Sequence, residues 1–327
     1  MIRPQAPDSL GLPQQAQPAH TSSRMTPPMT SPPRSLDLDL TQQEPIPPEG
    51  VQAALALMAS GKLHRYGEVG GKPSEVSALE AEFARQLGVK YCVALNSCGS
   101  AMFVALKAAG VKPGEAVLSN CFTLAPVPGA IAHAGARPLL VDVTDDYTID
   151  LADLERKAQA SGAKTLLLSH MRGHIADMRA LMAVCRRHGL QLIEDCAHTM
   201  GAAWAGQATG TWGRAGCFSL QSYKHANAGE GGLLATDDED IAAQAILFSG
   251  SYMLYRSHLA RPDDHVFERW KYLTQLQPAH EQPGRSGGAA AIGQRAGRAL
   301  PTLEPALRLD GHRPAGSPAP AAAAAPG

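Results

Sequence analysis

The chain has 327 residues, with 29 Lys and Arg against 30 Asp and Glu and a formal net charge of −1. A balance of this kind leaves no electrostatic footprint for nucleic acid or an acidic surface. No apolar run approaches a membrane span and the N-terminus has no apolar signal core, so a cytoplasmic location is expected.

Residues 1–48 are rich in Pro, Ser, Thr and Gln and poor in large apolar groups. Such a segment cannot bury enough surface to offset its ordering entropy, so a disordered leader is expected, with Met25 or Met29 as alternative starts. From Val51 the composition changes. Val51 to Met58 reads as a short apolar helix, and Leu63 to Gly67 as a loop. Ser74 is placed to cap a helix whose apolar face is Val76, Leu79, Phe83 and Leu87, closed by Gly88.

Beyond Gly88, strands and helices alternate. Strands are predicted at Tyr91 to Leu95, Ala116 to Leu118, Pro138 to Val141, Thr165 to Leu168, Leu190 to Ile193, Gly216 to Leu220 and Leu233 to Ala235. Helices are predicted at Gly99 to Ala109, Leu124 to Ala134, Leu151 to Ala160 and Asp177 to His188. Met178, Leu181, Met182 and Cys185 share one face of the last of these and read as core. The pattern predicts an α/β domain over residues 49–274, a mainly parallel sheet with helices on both faces. The six cysteines include no Cys-x-x-Cys pair and read as reduced thiols, not as metal ligands. From about Gln275 periodicity gives way to Gly, Ala, Pro, Arg and Gln, so residues 275–327 are expected to be a low-complexity tail.

One stretch concentrates the chemistry. The apolar lead into Ser219 and Leu220 runs to Lys224, then through Gly229, Gly231 and Gly232 into Leu233. A lysine between two apolar strands sits where desolvation lowers its pKa from ~10.4 and frees the amine as a nucleophile toward an aldehyde. The glycines let the backbone approach a bulky group closely. Upstream, the apolar strand from Leu190 ends in Glu194-Asp195-Cys196-Ala197-His198. A lysine and an aspartate in this relation suit pyridoxal 5′-phosphate, the aspartate holding the pyridine nitrogen protonated. Glu194 points to the opposite face of the strand. Asn96 to Ala101 follows a strand and opens a helix, so the N–H groups of Gly99 and Ser100 are placed to face an anion; an ordinary helix cap explains the same residues. Sheets of this type bind ligands beyond the carboxyl ends of their strands, where Asn96, Asp195 and the loop of Arg172 and His174 fall. A cation on that loop suits a substrate carboxylate or phosphate, or is a solvated charge. Tyr252, Tyr255, Arg256 and His258 are candidates for a substrate mouth.

Asn96 to Ala101, Cys121-Phe122-Thr123, His170 to Met178, Glu194 to His198 and Phe218 to Gly232 occur in an order and spacing that resembles the DegT/StrS-type sugar aminotransferases. These are a branch of the fold-type-I pyridoxal-phosphate enzymes. The resemblance runs from about Arg65 to about Leu254. It implies the large cofactor-binding domain of that fold, with Lys224 carrying the cofactor and shuttling the proton and Asp195 on the ring nitrogen. It implies that Gly99, Ser100 and Ser219 hold the phosphate and that His198 lies near the phenolic oxygen, where relatives place Gln or His. It also implies glutamate or glutamine as donor, a keto group on a nucleotide-linked sugar or cyclitol as acceptor, and a homodimer. Leu124 departs from the pattern, since many relatives carry an aromatic there. Two alternatives stay open: a dehydratase of the same family, which would put a histidine at the lysine position, and a truncated, non-catalytic relative.

The tail bears on the second alternative. Read in a shifted frame, Gln277 to Pro283 permits Asn-x-Arg-Met-Ser-Asn-Leu, which resembles the family's Asn-x-Arg-Met segment that reaches the neighbouring subunit's cofactor phosphate. The expectation is a frame slip near Gln275 that leaves the small C-terminal domain missing or scrambled.

Overall fold

The computed structural model describes residues 42–43, 45–65, 73–251 and 254–270. Residues 1–41 of the expected leader, Tyr66, Gly67, Tyr252 and the 275–327 tail lie outside the described residues. Helix α1 (Pro48–Ser60) precedes α2 (Glu75–Leu87), which the Ser74 side chain caps by accepting the Ser77 N–H and Gly88 ends in a left-handed conformation. Val76, Leu79 and Phe83 are buried as the spacing predicts, with Leu87 packed at the margin.

Seven strands form the main sheet: β1 (Tyr91–Leu95), β2 (Ala116–Asn120), β3 (Arg137–Val141), β4 (Thr165–Ser169), β5 (Gln191–Asp195), β8 (Ala215–Ser219) and β9 (Gly232–Thr236). A separate two-stranded hairpin, β6 (Ala203–Trp204) and β7 (Gln207–Ala208), was not expected, because two-residue strands leave no alternation to read. The sheet order is β1-β9-β8-β5-β4-β2-β3. Only β9 runs against the others, antiparallel to both β8 and β1; every other pairing is parallel. Six strands therefore deliver their carboxyl ends to one edge: Leu95, Asn120, Val141, Ser169, Asp195 and Ser219.

Side chains alternate across the sheet and feed cores on both faces. In β4, Leu167 joins one cluster with Met102, Leu106 and Ile131, and its neighbours Leu166 and Leu168 join another with Leu154, Met178 and Leu181. The first cluster gathers α3 (Cys98–Ala108), α4 (Pro126–His133), α7 (Glu239–Ile246) and α8 (Asp264–Trp270), and the second α5 (Leu151–Ser161) and α6 (Met178–His188). Met178 is fully buried, so the methionines of α6 are core, as expected. Near β8, Phe218 is fully buried with Phe83 edge-on at a centroid distance of 5.0 Å. Fully burying such a ring is worth ~1.5–3 kcal/mol. Among the described residues no helix is long and apolar enough to cross a membrane.

Candidate active site

The carboxyl edge gathers most of the residues singled out in the sequence. Asp195 ends β5 and is 5 % exposed. Its Oδ2 accepts the Ser169 hydroxyl at 2.7 Å, and its Oδ1 accepts the Ala197 N–H at 3.1 Å and faces Cys98 Sγ at 3.7 Å. Ser169 is itself fixed: its N–H donates to Asn120 Oδ1 at 2.8 Å, and Asn120 Nδ2 donates back to the Ser169 carbonyl at 3.0 Å. Asn120 and Ser169 were not singled out in the sequence. The signal available was their place as polar residues closing apolar strands on the ligand-binding edge.

Lys224 lies in the loop from β8 to β9, partly buried, with its N–H donating to the Gln221 carbonyl. Its Nζ is 2.7 Å from His198 Nε2. Burial holds the Lys224 ammonium below the ordinary lysine value, although the Asp195 charge pulls the other way. Burial also lowers His198, helped by the positive charge of Lys224 and opposed by Asp195. Lys224, His198 and Asp195 thus form one electrostatic unit. The adjacency of β5 and β8 brings them together, since both loops leave the same edge side by side.

Ser97 caps α3: its Oγ accepts the Ser100 N–H at 3.0 Å and lies 3.1 Å from Ser100 Oγ. Of the two amide groups expected to face an anion, that of Ser100 is engaged by the helix's own cap. Gly99 follows the cap in the first turn of α3, and Ser219 ends β8 on the same edge. Gly232 explains part of the glycine loop, though not as expected. A Cβ there would lie 2.2 Å from the Ser97 carbonyl carbon and 2.5 Å from Cys98 N. The close approach is to the backbone that opens α3, not to a ligand.

Glu194 faces away from Asp195 and is fully buried. Its carboxylate accepts the N–H groups of Gly210, Trp212 and Gly213 and faces His170 Nε2 at 3.1 Å. Ligand-type atoms of His170, Glu194 and Cys196 lie within 4.8 Å of one another. With both Glu194 oxygens already occupied twice, the cluster works as a hydrogen-bond hub that fixes the 210–213 turn.

Other expectations sort clearly. Arg172 is exposed at the turn after β4, in a left-handed conformation at φ 56°, and reaches the unit electrostatically by lowering both Lys224 and His198. His174 is exposed and packs with Phe122 and Tyr147. Leu124 is 47 % exposed at the same rim. The substrate-mouth expectation for Tyr255 and His258 is corrected. Tyr255 is buried, stacked on Phe267 at 4.1 Å. His258 is buried between Ser251 Oγ at 2.7 Å and Glu80 Oε2 at 2.8 Å. Arg256 is exposed but paired with Asp264. Glu80 also accepts from Arg65 and from the Ala94 N–H, completing a buried charged clasp behind β1. All six cysteines are free thiols, with only Cys121 exposed.

Residues 48–258 match the DegT/DnrJ/EryC1/StrS aminotransferase family. The chain is 31 % identical over 263 residues to a UDP-N-acetyl-3-dehydro-alpha-D-glucosamine 3-aminotransferase of Acidithiobacillus ferrooxidans, covering 78 % of this chain and 71 % of the relative. It is 37 % identical over 176 residues to an L-glutamine:scyllo-inosose aminotransferase of Streptomyces griseus, covering 54 % and 41 %. Among solved structures, the aminotransferase TlmJ from Streptoalloteichus hindustanus superposes with a TM-score of 0.57 at 26 % identity, over 79 % of this chain and 65 % of that one. The chain spans about half the length of the curated relatives it matches.

Proposed function

The chain belongs to the DegT/DnrJ/EryC1/StrS aminotransferase family, and on that footing we propose that it is a pyridoxal-phosphate-dependent aminotransferase. The donor is glutamate or glutamine, and the acceptor is a keto group on a nucleotide-linked sugar or a cyclitol. Both acceptor classes occur in the names of the relatives, and one name carries L-glutamine.

The observation that carries this reading is the setting of Asp195. It is a buried carboxylate whose hydrogen-bond donors are all neutral, and among the described residues it has no salt-bridge partner. Among those residues no cation touches this buried carboxylate: the Lys224 charge reaches it only through space, and a buried charge met only by neutral donors is costly. A protonated pyridine nitrogen supplies the direct charged contact, and a charge-assisted pair is stronger than a neutral hydrogen bond. The residues present therefore fit the cofactor.

Lys224 then attaches the cofactor through Nζ and carries the proton that moves during transfer, as a partly desolvated amine is suited to do. Asp195 holds the proton on the ring nitrogen. Gly99, Ser100 and Ser219 hold the phosphate at the opening of α3 and the end of β8, with the Ser97 cap giving way at Ser100. His198 reaches the phenolic oxygen. When bound, the cofactor supplies an electron sink for charge developing at the amino-bearing carbon. A lysine at position 224, with His225 only beside it, favours transfer over dehydration. With the small C-terminal domain in place, the working unit is a homodimer in the cytoplasm. Borohydride reduction of the loaded protein followed by peptide mapping tests the reading: the pyridoxyl label falls on Lys224, and a label on Lys164 instead overturns it.

A further inference from the structure

We propose that His198 and Lys224 act as one proton-sharing pair, in which His198 Nε2 takes the proton that Lys224 must lose before its amine attacks a carbonyl. The inference rests on the reading of Lys224 as the attachment lysine and adds a function for its neighbour. The contact is direct, at 2.7 Å between Nζ and Nε2, within reach for transfer without an intervening water. It is also built into the sheet. Asp195 of β5 pairs with Cys217 of β8, so the loops that leave these adjacent parallel strands emerge side by side. His198 stands on the first loop and Lys224 on the second.

Two positive charges at this separation repel, so the pair titrates as a unit and resists taking a second proton. The charged and titratable groups facing it come from every neighbouring element. Asp195 comes from β5, Cys98 from α3, Arg172 from the turn after β4, and His225 from the lysine's own loop. Burial favours the neutral form of both members, Arg172 acts in the same direction on both, and Asp195 opposes. The starting state of the transfer is the singly protonated pair, ammonium beside neutral imidazole. In the transfer one N–H bond of Lys224 breaks and an N–H bond forms at His198 Nε2. The lone pair left on Nζ is the nucleophile, and the positive charge passes to the imidazolium. No proton is gained or lost by the pair.

The test uses the apoprotein. Its rate of combination with pyridoxal 5′-phosphate is followed by stopped-flow absorbance across a pH series, for wild type and for His198→Gln. Glutamine keeps a hydrogen-bonding group at this position but cannot accept a proton. The variant is expected to combine ~10²-fold more slowly, the usual lower range for loss of a positioned base, and to lose the acid inflection of the wild-type profile. A second measurement stands apart from any reaction: the His198 ring resonances titrate below the ordinary histidine value in the wild-type apoprotein and shift upward in Lys224→Met. A His198→Gln rate and profile matching wild type, or a His198 titration unmoved by Lys224→Met, overturns the proposal. Should His198→Gln not fold, the Lys224→Met titration decides. A borohydride label absent from wild-type Lys224 sinks the attachment reading itself; a label on Lys224 with an unaltered His198→Gln profile sinks only the shared proton.

Discussion

Replacing Glu194 by Gln removes one acceptor from a carboxylate that holds a whole turn. Glu194 Oε1 accepts the Trp212 and Gly213 N–H groups at 2.8 and 2.9 Å, and Oε2 accepts the Gly210 N–H at 2.9 Å and faces His170 at 3.1 Å. In Glu194→Gln one of these oxygens becomes an NH2 that cannot accept. Turned to the Oε2 side, it leaves the Gly210 N–H without an acceptor, while His170 can take the tautomer whose Nε2 accepts from it. A lost hydrogen bond to a charged group is worth ~1.5–3 kcal/mol, and the bonds kept to Trp212 and Gly213 fall to the ~0.5–1.5 kcal/mol of neutral ones. Relief of the buried charge offsets part of this, so a destabilisation of ~3 kcal/mol is expected. Equilibrium unfolding in urea reads it directly: at a slope of ~3 kcal/mol per molar the midpoint falls by ~1 M with the slope unchanged. A change worth under ~0.5 kcal/mol would refute the hub and leave Glu194 an incidental buried acid. Asp195 points to the other face, so the folded fraction of the variant should still combine with pyridoxal 5′-phosphate.

Gly232→Ala places a Cβ 2.2 Å from the Ser97 backbone, where no side-chain rotation gives relief, so a loss of ~3 kcal/mol or more is expected in thermal unfolding. A wild-type midpoint would show that β9 and the α3 turn do not touch. Burial raises the Glu80 carboxyl, but Arg65, His258 and the Ala94 N–H outweigh it and leave the group below its ordinary value of 4.5. Glu80 therefore adds stability above that value and loses it as pH falls through the lower folded one, so Glu80→Gln should flatten this part of the stability–pH curve. Urea midpoints from about pH 6 to 3 with an unchanged slope against pH would contradict this. Asp195→Asn should fold yet slow the glutamate half-reaction by several orders of magnitude, read as the absorbance change of the loaded enzyme. An unchanged rate would separate Asp195 from the ring nitrogen.

Where local chemistry decides the outcome, the sequence was read to within a residue or two. Ser74 as the N-cap of α2, the start of α6 to within one residue of Asp177, and the bounds of β1 follow from capping and alternation alone. What escaped depends on contacts distant in sequence. The Glu80–His258 pair joins residues that no local pattern relates, though Glu80 left a trace as an acid inside the apolar stripe of Val76, Leu79 and Phe83. Tyr255 and His258 looked like ligand groups because polar-aromatic residues near a site invite that reading; packing against Phe267 and Glu80 claims them instead. That Asp195 and Lys224 come together was legible because Asp195 ends β5 and the Lys224 loop leaves the neighbouring β8, and strand ends are what periodicity marks best; their roles belong to the proposal.

The antiparallel place of β9 has a consequence for how the protein is made. Among the described residues β1 pairs only with β9, through contacts such as Leu95↔Gly232, so this strand has no described partner until nearly all the sheet has left the ribosome. The α3 turn and the Lys224 loop flank that one pairing from opposite ends of the domain's coding length. A chain arrested before Gly232 would therefore carry five docked parallel strands and a stranded β1, with its apolar face open to other nascent chains. Synthesis of residues 232–236 supplies the strand that joins β1, and the α3 turn after it, to the strands whose loops carry Asp195, His198 and Lys224. Slow translation just upstream of it is the moment of greatest exposure to aggregation.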